Sequence, residues 1–391
     1  MKRRHMLMGA ALGLSTAIAG VPALAQDGTF KIGLILPMTG PFASTGRQIE
    51  AAARLYMAQH GDEAGGQKIE LILKDDAGVA DTTKRLAQEL IVRDKVGALA
   101  GFGLTPLAMA TAPLSTRGQT PTVVMAAATS SITEQSPFIV RTSYTTPQVT
   151  SKIAEWAASE GMTKVVTVVS DYGPGIDAEK TFVSTFGNAG GEVTDTLRVP
   201  LQNPDFSPFL QKVADAQPDA IFVFVPSGVG AQFMKQYVER GLDKSGIKLL
   251  ADGGITDDDI LNGMGDPALA AITGFHYSAA HDSAKNDEFV QAFQEATNGM
   301  RPNFMAVGGY DGMHLIYAAL EETGGEGGEA MMDAMKGMSW ESPRGPVSID
   351  PETRDIVQNV YLRRVERQDD QLWNIEFQTF EAVKDPGKTG S

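Results

Sequence analysis

From Phe30 onward, apolar runs of strand length alternate with segments of helical period. That alternation leaves few folds open other than a parallel sheet with crossover helices on its faces. The first runs are KIGLIL (Lys31 to Leu36), KIELIL (Lys68 to Leu73), ALA (Ala98 to Ala100) and TVVM (Thr122 to Met125). They are apolar almost continuously, as strands covered on both faces must be. Between them, Asp81 to Asp94 reads as a helix, with Leu86, Leu90 and Ile91 at helical spacing and Asp81 as the expected N-cap. The predicted class is α/β.

The pattern restarts after Pro147. A helix is predicted over Gln148 to Glu160, followed by strands at Lys164 to Val169, Glu192 to Val199, Ala220 to Val225 and Lys248 to Ala251. A chain of 391 residues with 42% hydrophobic residues normally divides into two domains, and the restart marks the second. Helices return at Asp287 to Asn298, Met305 to Thr323 and on to Met338. Strand-like NVYLRRV and LWNIEFQTF follow, and the polar tail from Lys384 is expected to fray.

The first residues read as an export signal: Lys2, Arg3 and Arg4, an uncharged stretch, and Ala23-Leu24-Ala25 as a small-x-small cleavage site. Cleavage is expected before Gln26, releasing a free periplasmic protein. With no cysteine the chain carries neither a disulfide nor a lipid-bearing cysteine. Without the signal, 30 basic residues face 48 acidic ones, so nucleic acid is an unsuitable partner.

In open parallel sheets, ligands bind beyond the carboxyl ends of the strands. Three loops there share a chemistry: MTGPFASTG (Met38 to Gly46), GFGLT (Gly101 to Thr105) and AAATSSIT (Ala126 to Thr133). Small residues, hydroxyls and backbone N–H groups before a helix suit a carboxylate. The plainer reading makes Ser44, Thr105 and Thr129 ordinary N-caps. A nucleotide-phosphate loop at Gly40 to Gly46 fails because Arg47 and Gln48 stand where Lys and Ser/Thr are required. No G-x-S-x-G elbow is present, His276 and His281 have no clustered third ligand, and Asp257-Asp258-Asp259 lacks the spacing of a calcium loop. That acidic run is expected to begin a helix. Tyr172 and Tyr310 read equally well as pocket aromatics or as packing. Neither catalysis, a metal nor a cofactor is expected.

The order KIGLILPMTGPFASTG, DDAGVADTTKRLAQELI, GFGLTPLAMATAP, AAATSSIT, PFIVRTSYTTPQ, SDYGPG and YDGMHLIYAAL resembles the periplasmic solute-binding proteins of ABC transporters, branched-chain amino-acid type, with loops similar to those of its aromatic-acid-binding subgroup. The resemblance implies a type I fold: two doubly wound lobes joined by three hinge crossings, near Ser143 to Pro147, Phe275 to Ala280 and Tyr361 to Val365. Residues 1–25 are then the signal, 26–143 with 280–361 lobe one, and 147–275 with 365–391 lobe two. It also implies ligand contacts at Thr45, Phe102, Thr105, Ala127 and Thr129 from lobe one, and at Tyr172 and Ser227 from lobe two. Amino-acid-binding members carry a glutamate for the ligand ammonium where this chain has Gly253; Asp252 substitutes only if the loop turns differently. A buried ammonium without a counter-charge is costly. The expected ligand is therefore an aromatic acid of benzoate or phenylpropanoid type, its ring against Tyr172, His276 or Tyr277. The expected partner is a membrane permease, and the protein is expected to act as a monomer. A neutral amino acid as ligand, a sensor lobe and a secreted hydrolase are the competing readings.

Overall fold

The continuous apolar runs become strands covered on both sides. In the computed structural model, which describes residues 28–388, one sheet is built from β1 (Thr29–Leu36), β2 (Glu63–Ala64), β3 (Gln67–Asp75), β4 (Ala98–Gly101), β5 (Thr122–Val124) and β6 (Ile139–Arg141). Its order is β2-β3-β1-β4-β5-β6, parallel except at the β2 edge. The crossovers include α1 (Ala43–His60), α2 (Ala80–Glu89) and α3 (Thr105–Gly118). The expected signal segment lies outside the described residues.

The second lobe begins with α4 (Thr146–Ser159), where Thr145 and Gln148 form a reciprocal capping box. It continues through β7 (Lys164–Ser170), α5 (Gly173–Asn188), β8 (Glu192–Val199), α6 (Ser207–Ala216), β9 (Ala220–Phe224), α7 (Gly230–Glu239), β10 (Lys248–Asp252), α8 (Leu261–Met264) and β11 (Ala271–Phe275). The chain then returns to the first lobe as α9 (Ala284–Ala296), α10 (Phe304–Thr323) and α11 (Gly328–Met335). There α10 lies along α1, burying Met313, Ile316 and Leu320 with Ile49, Ala52 and Ala53. Each large apolar side chain covered this way contributes about 1.5–3 kcal/mol. Close approach needs glycine: a Cβ on Gly308 would stand 2.2 Å from the carbonyl oxygen of Met125.

The last strands are β12 (Ser339–Ser342), β13 (Gly345–Ile349), β14 (Ile356–Gln368) and β15 (Gln371–Val383). Between the lobes runs β14: Val360 belongs to the core of lobe one, whereas Val365 belongs to that of lobe two, and Tyr361 pairs with Phe275 on β11. Antiparallel to it, β15 retraces the crossing and ends at Val383 in the core of lobe one.

Three local expectations are corrected. Asp81 does not cap α2, which starts after Val79; its charge sits in the first turn instead, and the helix ends in a widened π turn at Leu90–Asp94. Asp257, Asp258 and Asp259 do not open a helix; they occupy the turn ahead of α8 because each is drawn into hydrogen bonds. The described part of the tail is docked: Ser130 donates to Asp385 (2.5 Å), and Lys388 reaches Asp355.

Candidate ligand cleft

Each sheet reverses its winding beside its first strand. β3 and β4 flank β1 in one lobe, and β8 and β9 flank β7 in the other. At such reversals the loops leave in opposite directions and open a crevice beyond the carboxyl ends. The two crevices face each other and close on one narrow cavity lined from both lobes, the place where open α/β sheets take their ligands.

Thr45, Thr105 and Ala126–Ala128 line the cavity from lobe one, and Tyr172, Ser227 and Asp252 from lobe two. Thr45, Thr105, Ala127, Tyr172, Ser227 and Asp252 are thus brought together. Thr129 stands just behind, its hydroxyl 2.9 Å from that of Thr105. Neither hydroxyl caps a helix: α3 and the 3-10 turn after Thr129 have no side-chain cap, and Ser44 instead donates across the cleft to Asp259 (2.8 Å).

Five candidate residues lie elsewhere. Phe102 is fully buried among the core side chains of lobe one. Tyr277 donates to Asn286 (3.0 Å) within the same lobe. His276 stacks on the back of Tyr144 at 4.7 Å, with both ring nitrogens unpartnered; burial, then Arg344 and Arg363, hold it well below the usual histidine range. Gly253 faces away from the cavity: a Cβ there would stand 2.2 Å from the Phe275 ring. Tyr310 donates to Gln59 on the outer helices.

The loop does turn so that Asp252, not Gly253, lines the cavity. Oδ1 of Asp252 accepts from the N–H of Gly254 (2.9 Å) and faces the Tyr144 hydroxyl at 3.5 Å, while Oδ2 is buried without a partner. Burial pushes this carboxyl up to about 7, against the opposing pull of Gly254, Arg363 and Tyr144. Ser227 donates to Asp257, whose carboxyl is also raised, by burial and then by Asp259 and Asp258.

Sequence reasoning missed the aromatic walls. Phe42, Tyr144 and Phe304 come from lobe one, and Phe224 joins Tyr172 from lobe two. Phe42, Tyr144 and Phe224 each stand at or just past a strand end, which was the available signal. Arg141 was missed too. It is fully buried, donating to Asp355 (2.8 Å) and to the carbonyls of Ala127 (3.0 Å), Tyr144 (3.2 Å) and Thr129 (2.8 Å). A basic residue closing an apolar strand run was the clue to it. In a trans peptide the C=O and N–H point oppositely, so a carbonyl of Ala127 turned to Arg141 directs the N–H of Ala128 away from it. Lobe one therefore offers hydroxyl and backbone donors, with no lysine or arginine among the described residues that line the cavity.

Among the described residues no cluster of three metal-ligating side chains occurs, and no helix is long and apolar enough to cross a membrane. A family profile described as periplasmic binding protein matches residues 29–371. The Leu/Ile/Val-binding protein homolog 6 of Brucella melitensis is 48% identical over 363 residues, covering 91% of this chain and 93% of that protein. A Rhodopseudomonas palustris BisB5 solute-binding protein of an ABC transporter, solved with 3,4-dihydroxybenzoic acid, is 61% identical with a TM-score of 0.91, covering 92% of this chain and 99% of that one. A second R. palustris solute-binding protein, solved with 4-hydroxybenzoate, is 43% identical with a TM-score of 0.90, covering 93% and 100%.

Proposed function

This chain belongs to the periplasmic binding protein family and is the solute-binding component of an ABC transporter, and on that premise we propose that its cleft captures a small aromatic carboxylate in the periplasm and hands it to a membrane permease. The fold is the type I fold of that family, and the family and its structural neighbours are transport proteins, not enzymes.

The observation that carries the reading is the composition of the cavity. Five aromatic rings, Phe42, Tyr144, Tyr172, Phe224 and Phe304, surround it, and the lobe-one wall presents Thr105 and the small loop Ala126–Ala128. Rings of this kind favour a flat apolar body, each edge or face contact adding about 0.5–1.5 kcal/mol. Hydroxyl and N–H donors beside Thr105 suit the carboxylate without a charged side chain. The ligands of the two R. palustris proteins have this chemistry, a benzoate ring with one carboxylate.

A second reading is a branched-chain amino acid. Asp252 favours it, because a carboxylate lining the cavity can partner an ammonium, and the Brucella relative carries a Leu/Ile/Val-binding name. A thermal-shift panel separates the two. Benzoate-type and cinnamate-type acids are expected to stabilise the protein, by about 2.7 kcal/mol at 100 times the dissociation constant, and leucine and valine far less. A clear shift with leucine and none with any aromatic acid reverses the assignment. Scattering on the same samples is expected to show compaction, since the ligand touches both lobes.

A further inference from the structure

We propose that Asp252 reads a hydroxyl on the ligand ring, so that the preferred substrates are hydroxylated benzoates rather than benzoate itself. The inference rests on the aromatic-acid reading above and specifies which members of that class the cleft selects.

Asp252 is the one carboxylate lining the cavity among the described residues. Its Oδ1 is occupied by the Gly254 N–H at 2.9 Å, with the Tyr144 hydroxyl at 3.5 Å, whereas Oδ2 is buried and has no partner. A buried acceptor left unpaired is costly and rare, and it calls for a donor that the protein itself does not provide. Arg363 is not that donor. Its guanidinium is committed to the Gly253 carbonyl (3.1 Å), the Thr273 hydroxyl (3.1 Å) and the Tyr277 carbonyl, and it lies over the Phe275 ring.

A ligand on the lobe-two side can supply that donor while its carboxylate is held from lobe one. A phenolic O–H brings one donor to one vacant oxygen. An ammonium brings three N–H groups to that one oxygen, beside the apolar Phe224, Val225 and Pro226, while the other polar groups of the lobe-two wall are the Tyr172 phenol and the Ser227 hydroxyl, which donates to Asp257. A methoxy group in the same place has no donor and sets its oxygen against a carboxylate oxygen. A bare ring hydrogen leaves Oδ2 desolvated and unpaired. Sites built to bond a substrate hydroxyl discriminate steeply against analogues lacking it, for this reason.

The test is calorimetry at about pH 8, where the Asp252 carboxyl is ionised, of the mature chain and its Asp252→Asn variant with 4-hydroxybenzoate, 3,4-dihydroxybenzoate, benzoate, 4-methoxybenzoate and leucine. The wild type is expected to bind the hydroxylated acids at least ~10-fold more tightly than benzoate or 4-methoxybenzoate. The variant, whose amide can donate, is expected to lose most of that preference and to gain affinity for 4-methoxybenzoate. Equal or tighter binding of benzoate by the wild type overturns the inference while leaving the aromatic-acid reading intact. Heat from leucine with none from any aromatic acid overturns both. If the variant does not fold, the wild-type ligand series decides alone.

Discussion

The hydroxyl of Ser44, in the first turn of α1 on lobe one, donates a 2.8 Å hydrogen bond to Oδ2 of Asp259 on lobe two. The other oxygen of the same carboxylate accepts from Asn303 Nδ2, just ahead of α10, at 3.0 Å. One acidic side chain thus ties two lobe-one helices across the cleft without lining the cavity. Such bonds favour the closed form alone, so they act on affinity through the closure equilibrium. Ser44→Ala is expected to weaken ligand binding roughly fivefold, the equivalent of about 1 kcal/mol for one partly exposed hydrogen bond to a charged group. Its melting temperature without ligand should barely change. Calorimetry and thermal unfolding check both; an unchanged dissociation constant removes the latch.

Gly173 opens α5 on lobe two, and a Cβ there would stand 2.3 Å from Oγ1 of Thr129 and 3.3 Å from Cγ2 of Thr105 on lobe one. The clash is between lobes and not within one. Gly173→Ala is therefore expected to fold normally and to close incompletely, losing ~10-fold or more in affinity, as overpacking at a tight contact costs about 1–3 kcal/mol. Small-angle scattering should show the ligand-saturated variant more expanded than the ligand-saturated parent. Identical radii of gyration and affinities count against the close approach.

Arg141 and Asp355 form a fully buried pair at 2.8 Å, and the same guanidinium anchors the loop Ala127–Ser130 through its carbonyls. Arg141→Met leaves the Asp355 carboxylate with a lost partner and the loop unanchored. The expected loss of stability is about 3–5 kcal/mol. Urea denaturation measures it, and a loss below 1 kcal/mol contradicts the anchoring role.

The Asp252 carboxyl, raised to about 7 chiefly by burial, makes stability depend on pH. Its unfolded value is near 4, so between about pH 4 and pH 7 the folded state holds the proton more tightly than the unfolded state. Stability falls as pH rises through that window, and the penalty is complete above 7. Tyr144, Tyr172 and Asp257 face this carboxyl with Arg363. Asp252→Asn is expected to remove a fall of a few kcal/mol between pH 4 and pH 8, read from paired melting curves without ligand. Parallel curves for the two proteins are the contrary result.

Strand and helix periodicity is local, which is why KIGLIL, KVVTVV and AIFVFV could be read as buried parallel strands and why the loops after them could be singled out. The loops that hold Thr45, Thr105 and Ala127 follow from that position, because a parallel sheet puts all its carboxyl ends on one edge; the choice of individual residues in them, and of Tyr172 and Ser227, rested on the family resemblance. Tertiary structure decided the rest. Whether Asp252 or Gly253 faces the cavity depends on one backbone turn, fixed by the Gly254 N–H on Oδ1 and by the Phe275 ring that leaves no room for a side chain at Gly253. Arg141 and Asp355 are 214 positions apart, and Ser44 and Asp259 are 215. Pairings at that separation carry no periodic signal: the first is set by the chain's return to lobe one, the second by how the two lobes meet. The aromatic cage exists for the same reason: each lobe supplies part of its rings, and only closure turns two half-walls into a cavity.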